Sequence, residues 1–206
     1  MLKLWGRINS INVQKVLWTL AELNVPYERT DAGLQYGVVN EPFYRKMNPN
    51  GRVPTIEDDG FVLWESNAIV RYLAAKHGAG TLWPNDLKQR ADSDRWMDWC
   101  TGTLGPLLTP VFWGLIRTPP EKRDMAKILD EAEKAGETMR ALEQCLEGRD
   151  YAAGKSLTIG DIPLGAFVYR WYALDIKRPK LARVEAYYAR LSERPAFRKH
   201  VMLPLS

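Results

Sequence analysis

Thiols, basic tracts and long apolar runs are all scarce in this chain of 206 residues, and each scarcity removes a class of protein. The 2 cysteines, Cys100 and Cys145, stand far apart with no second thiol beside either. That excludes a disulfide framework and a cysteine-built zinc site, and no metal is expected. Each cysteine reads as a small buried apolar residue. No apolar stretch approaches the roughly 18 residues that a bilayer crossing needs. Mean hydropathy is −0.34, so no membrane span is expected. Lys3, Arg7, Asn9 and Asn12 interrupt the N-terminal stretch before an apolar segment of about 7 residues can form, which argues against a signal peptide and for a cytoplasmic protein. The charge excess is small, 29 Lys+Arg against 25 Asp+Glu, and the basic residues form no dense run although the isoelectric point is near 9.0. Without such a run or a recognition motif, nucleic acid is not an expected partner. No internal repeat is present.

Apolar and aromatic material is plentiful: 46% of residues are hydrophobic and 8 are Trp, enough for two modest cores. Residues 1–78 alternate periods. Leu2, Leu4 and Trp5 form a short apolar run ending at Gly6, and Val13, Val16, Leu17 and Leu20 then recur at helical spacing. A second extended stretch follows Pro26, then a polar loop and a short segment from Pro42 to Met47. Two strands flank the turn Asp58-Asp59-Gly60, and a helical stripe from Ser66 stops at His77-Gly78. The expected order is β-α-β-α-β-β-α. Residues 79–86, with Gly80 and Pro84, have linker chemistry. From 87 to 206 the pattern is helical, with segments Leu87–Trp99, Glu121–Leu146, Asp161–Trp171, Pro179–Leu191 and Pro195–Val201. The expected architecture is a small α/β domain joined to an all-helical domain.

Three places carry chemistry. The loop from Arg7 to Asn12 enters the first helix, whose N-terminus favours an anion through its unpaired N–H groups and dipole. Ser10 and Asn12 there are either helix caps or donors to a bound thiolate, whose ordinary pKa of about 8.5 such donors would lower. The second place is Asn48-Pro49-Asn50-Gly51-Arg52-Val53-Pro54, a turn that leads into a strand. The third is Glu65-Ser66-Asn67-Ala68-Ile69. Ser66 at a helix start suits a ligand carboxylate and Glu65 a ligand ammonium, or the pair is a capping Ser beside a solvated Glu. In the second half, Phe112, Trp113 and Tyr169 are candidate pocket residues. Trp113 follows Pro110 in a stretch with Gly105, Pro106 and Gly114, where a helix irregularity can open a cleft.

Taken together, Ser10 six positions before Val16, the Asn-Pro-x-Gly-x-Val-Pro run ending at Pro54, and the Glu65-Ser66-x-Ala68-Ile69 run make the chain resemble the glutathione transferase superfamily over essentially its whole length. Leu157-Thr158-Ile159-Gly160-Asp161-Ile162 matches that family's capping box and hydrophobic staple, in which Thr158 caps, Asp161 returns the bond and Leu157 packs on Ile162.

The resemblance implies a thioredoxin-like N-terminal domain that holds glutathione as co-substrate. It also implies a helical domain that completes a pocket for a small apolar electrophile, in a homodimer. Carried over by position, Ser10 resembles the activating hydroxyl of serine-type members. Asn12 resembles the asparagine that some bacterial and fungal members use instead. Val53, beside a cis Pro54, would pair through its main chain with the cysteinyl unit, while Glu65 and Ser66 would hold the γ-glutamyl end. No Tyr or Cys stands in the loop before the first helix, a departure from the tyrosine- and cysteine-type members. The stretch Gly37–Pro42 lacks the Gln or basic residue that many relatives use for the glycyl carboxylate, which leaves Asn40 and Arg52 as candidates. Arg71 and Arg95 are candidate interface residues by the same analogy. The implied activity is conjugation by an activated glutathione thiolate. A glutathione-dependent disulfide reductase or peroxidase is one alternative, and a non-catalytic binding scaffold is the other.

Overall fold

The computed structural model describes residues 1–206. Strand β1 (Leu2–Trp5), helix α1 (Ile11–Glu22), strand β2 (Tyr27–Thr30), helix α2 (Pro42–Met47), strands β3 (Thr55–Asp58) and β4 (Phe61–Trp64) and helix α3 (Ser66–His77) succeed one another in the predicted order. The sheet runs β2-β1-β3-β4. β1 lies parallel to β2 and antiparallel to β3, and the β3–β4 hairpin sets Thr55 opposite Trp64. Period-two patterning explains the face: Leu2 and Leu4 are buried, while Lys3 between them turns outward to Glu57 at 3.2 Å. Leu2, Leu4 and Ile56 of the sheet meet Val13, Val16, Leu17 and Leu20 of α1 and Ile69 and Leu73 of α3 in one small core.

Beyond residue 86 follow α4 (Leu87–Trp99), α5 (Gly105–Phe112), α6 (Met125–Cys145), α7 (Asp161–Ala173), α8 (Ala182–Ser192) and α9 (Pro195–His200). No helix is long and apolar enough to cross a membrane. Two helix starts differ from expectation, and several ends differ by a residue or two. α6 starts at Met125 rather than Glu121, because Pro120–Lys122 forms a 3-10 turn and Asp124 caps the helix, accepting from the Lys127 N–H at 3.1 Å. α8 starts at Ala182 rather than Pro179. The stretch 100–117, outside the named segments, is helical as well. Wide π-helical turns at Cys100–Leu104 and Trp113–Arg117 flank α5 in one continuous helical run and accommodate Pro106 and Pro110, which cannot donate to an ordinary helical ladder.

The capping motif at α7 is built differently from the expected box. Asp161 returns a bond to the Thr158 N–H at 2.8 Å, but the Thr158 hydroxyl donates to the same carboxylate at 3.1 Å instead of capping an N–H. Asp161 also accepts from the Ala152 N–H and the Tyr187 hydroxyl, so one buried carboxylate ties the start of α7 to the preceding loop and to α8. Burial raises its pKa, against the pull of these four donors.

Helix α1 joins the two cores. Every residue from Val13 to Leu20 is buried, the mark of a helix packed on all sides. Trp18 turns away from the sheet into the helical core and meets the Phe197 ring edge-on at 4.8 Å. Gly165 of α7 makes room for it, since a Cβ there would stand 2.9 Å from the indole. At the end of α1, Glu22 accepts from Trp18 Nε1 at 2.8 Å and from Arg194 at 2.8 and 2.6 Å.

Candidate functional site

Where the sheet's loops face α4, α5 and α7, a cleft of about 1220 Å³ opens. Two helix N-termini meet in it. The first turn of α1 leaves the N–H groups of Ile11, Asn12 and Val13 without helical partners, and the first turn of α3 leaves those of Ser66, Asn67 and Ala68. Ser10 precedes α1 in extended conformation, as a cap should, yet its side chain makes no capping hydrogen bond. The hydroxyl faces the cleft instead.

Asn12 is held by its carbonyl. Lys15 Nζ donates to Asn12 Oδ1 at 3.0 Å, and the Ser66 hydroxyl donates to the same atom at 3.3 Å. An ammonium can only donate, so the amide orientation is fixed and the Asn12 NH₂ is left free for the cleft. Lys15 itself is buried over the Phe167 ring. Burial pulls it down to about 8, Arg170 adds to the shift, and Glu65 opposes it.

Asn48 locks the turn before β3. Its side-chain NH₂ donates to the Arg52 carbonyl at 2.9 Å and to Thr55 Oγ1 at 3.0 Å, and Tyr44 Oη donates to the Arg52 carbonyl at 2.6 Å. The Val53–Pro54 bond is cis. Val53 lines the cleft and neither its N–H nor its C=O has a partner within the chain, an open edge of main chain. Pro54 is buried behind it and does not reach the cleft. Glu65 adopts φ 73° and ψ 111°, a backbone conformation costly for a residue with a Cβ, and so carries its exposed carboxylate to the mouth of the cleft beside Ser66.

Asn40 and Arg52 line the opposite rim, with Asn40 Oδ1 accepting from Arg45 at 2.8 Å. On the helical side, Phe112 and Trp113 line the cleft, Phe112 buried and Trp113 half exposed. Tyr169 does not. Its hydroxyl donates to the Leu203 carbonyl, and it packs on the helical core. The next residue, Arg170, takes the cleft-facing position, because neighbours on a helix point about 100° apart. Arg71 donates to Asp94 at 2.7 Å and to Asp98 at 3.0 Å, joining α3 to α4 within the chain.

Among the cleft residues that escaped the sequence reading are four basic ones, Arg7, Lys15, Arg117 and Arg170. Two of them had a visible signal, since Lys15 and Arg170 are lone charges inside apolar helical runs. Cys100, the one thiol on the cleft wall, is buried and pushed up to about 12 by that burial, so it stays a neutral thiol. No three His, Cys, Asp or Glu side chains gather as a metal would require.

Comparison with known proteins gives the same outline. The family model for the glutathione S-transferase N-terminal domain matches residues 1–75, and that for the C-terminal domain matches residues 104–195. Glutathione S-transferase GstB of Escherichia coli K12 is 41% identical over 100% of both chains. Glutathione S-transferase D6 of Drosophila melanogaster is 28% identical over 90% of this chain and 84% of its own. Among solved structures, the theta class glutathione S-transferase of Xanthomonas axonopodis pv. citri with glutathione bound superposes with a TM-score of 0.95 at 44% identity, covering 100% of this chain and 99% of that one.

Proposed function

This chain belongs to the glutathione S-transferase family and is a glutathione transferase, and we propose how its own residues carry that activity. The glutathione sulfur sits at the N-terminus of α1, where the Ser10 hydroxyl and the Asn12 amide both donate to it. One observation carries this reading: Ser10 declines the cap that its position offers, and Asn12 has its oxygen occupied by Lys15 and Ser66, so two donors at one helix N-terminus remain for a ligand. Both favour the thiolate over the thiol, as does the helix dipole.

The rest of glutathione follows the open groups. Its cysteinyl unit pairs with the Val53 N–H and C=O in the manner of an added strand. The γ-glutamyl carboxylate takes the N–H groups at the start of α3, with its ammonium toward Glu65, and Asn40 and Arg52 reach the glycyl carboxylate. The electrophile lies against Phe112 and Trp113, and the thiolate attacks it directly. Cys100, a neutral thiol below a pH of about 12, leaves the glutathione sulfur as the nucleophile. A homodimer fits the half-exposed Phe61 on β4, which packs beside Tyr72 of α3, and sedimentation would test it.

Following the ultraviolet thiolate band of bound glutathione against pH tests the donor assignment. Ser10→Ala and Asn12→Ala are each expected to raise the bound thiol pKa by about one unit, the equivalent of one lost hydrogen bond to a charged group. An unshifted pKa in the double variant would sink the assignment.

A further inference from the structure

The helical wall of the cleft holds positive charge that thiol activation does not use. Arg170 is only 6% exposed, yet it forms no hydrogen bond and no ion pair; its guanidinium lies over the Phe112 ring, 3.9 Å from the centroid. Its Nε is buried without a partner, and so is the Nε of Arg7. Arg117 shares the Phe112 ring, 5.4 Å from its centroid, and lies 5.1 Å from that of Trp113; its one hydrogen bond goes to the main-chain oxygen of Ser206, the last residue, at 2.7 Å, and unlike Arg170 it is thereby partly compensated. The three guanidinium groups are close enough to repel one another, and all three line the cleft. Two carboxylates also line it. Asp98 is engaged by Arg71, and Glu65 stands at the mouth.

Arg71 in the same cleft is paired with Asp94 and Asp98, whereas Arg170, far more buried, has no carboxylate partner. Desolvated charges persist unpaired only where something compensates them, and a guanidinium fork matches the two oxygens of a carboxylate. Arg7 belongs to the loop that carries Ser10, so an anion held among these groups lies near the sulfur. We propose that the second substrate is an anionic electrophile, its carboxylate seated among Arg7, Arg117 and Arg170 and its carbon skeleton against Phe112 and Trp113. The proposal rests on the transferase reading and replaces the purely apolar electrophile that the family resemblance implies. The substrate class is a small carboxylate with a displaceable group a few atoms from the carboxyl. In its reaction the sulfur lone pair forms the C–S bond, the carbon–halogen bond breaks and halide leaves with the bonding pair. The thiol proton goes to solvent, and nothing is oxidised or reduced.

The test compares matched probes. 4-Chloro-3-nitrobenzoate and 4-chloro-3-nitrobenzamide differ only in charge at the distal group, and so do their glutathione conjugates. Calorimetric titration of both conjugates and of glutathione itself is expected to show the carboxylate conjugate bound at least about tenfold tighter than the carboxamide one, the scale of a charge-assisted hydrogen bond. The kcat/KM ratio of the two electrophiles, corrected for their uncatalysed rates, should move alike. Arg170→Met should bring the affinity ratio to within about twofold, Arg7→Gln should lower it in part, and both should keep glutathione affinity within about twofold. Equal affinity of the two conjugates for the unsubstituted protein overturns the proposal, as does a preference that both variants leave intact. Failure of glutathione itself to bind would instead overturn the transferase site, and the anion seat with it.

Discussion

The two walls of the cleft present different chemistry. The sheet-side wall offers neutral donors and main chain: the Ser10 hydroxyl, the Asn12 amide, the open Val53 backbone and two helix N-termini. The helical wall offers full charges that have lost their water, Arg170 above all, set among aromatic rings. Neutral donors and dipoles are cheap to keep empty and largely indifferent to salt, and they suit a co-substrate that never changes. Sheltered charges repel one another when the site is empty and favour one class of partner strongly, and they suit discrimination. One cleft thus separates constancy from choice, and α1, with Ser10 at its head and Lys15 on its flank, is where the two meet.

Substitutions can break that division or sharpen it. The largest effect is expected from Trp18→Ala, which empties the contact through which α1 grips the helical core; chemical denaturation should show a loss of about 3–5 kcal/mol. The double variant Ser10→Ala/Asn12→Ala should keep both walls in place and lower conjugation kcat/KM about a hundredfold. That loss should be the same at low and high salt, because the donors are neutral; a strongly salt-dependent loss would show that the sheet-side wall works by charge after all.

Lys15 gives a smaller effect, with a sign. Its folded pKa is lowered to about 8 from an ordinary value of 10.5, so above about pH 8 the unfolded chain holds a proton that the folded chain has released, and stability rises with pH. Relative to Lys15→Met, the unsubstituted protein should gain about 1.4 kcal/mol between about pH 7 and pH 9, read from denaturation midpoints at matched salt. A parallel pair of curves would mean that Lys15 is not sheltered from water. The smallest effect belongs to Arg194→Gln, which removes a partly exposed ion pair with Glu22 far from the cleft. It should cost about 1 kcal/mol or less and leave both conjugate affinities unchanged.

Much of this was legible in the sequence. Strands and helix starts are local events: Ser10 before a helical stripe, Pro54 before a strand and Glu65-Ser66 at a strand-to-helix change announce themselves, and the fold brings these segments into one cleft. The helical wall was harder to see. Tyr169 drew attention because aromatic groups often line pockets, yet the cleft-facing position belongs to Arg170 one residue later, and only packing decides which face of α7 looks outward. Lys15 and Arg170 interrupt apolar stripes, and a periodicity argument treats an interruption as noise. Pro106 and Pro110 hid the helix between α4 and α6, because π-helical turns that absorb the prolines leave no mark in the spacing of apolar residues.

A helix with no solvent face has little freedom to vary. Any change from Val13 to Leu20 must suit the sheet on one side and α7 and α9 on the other. The register of the loop ahead of it is therefore inherited from two cores at once. Arg7 and Trp113 line the cleft and belong to neither core, and this is where a lineage, or an engineer, can change the cleft with the least disturbance to the packing behind it.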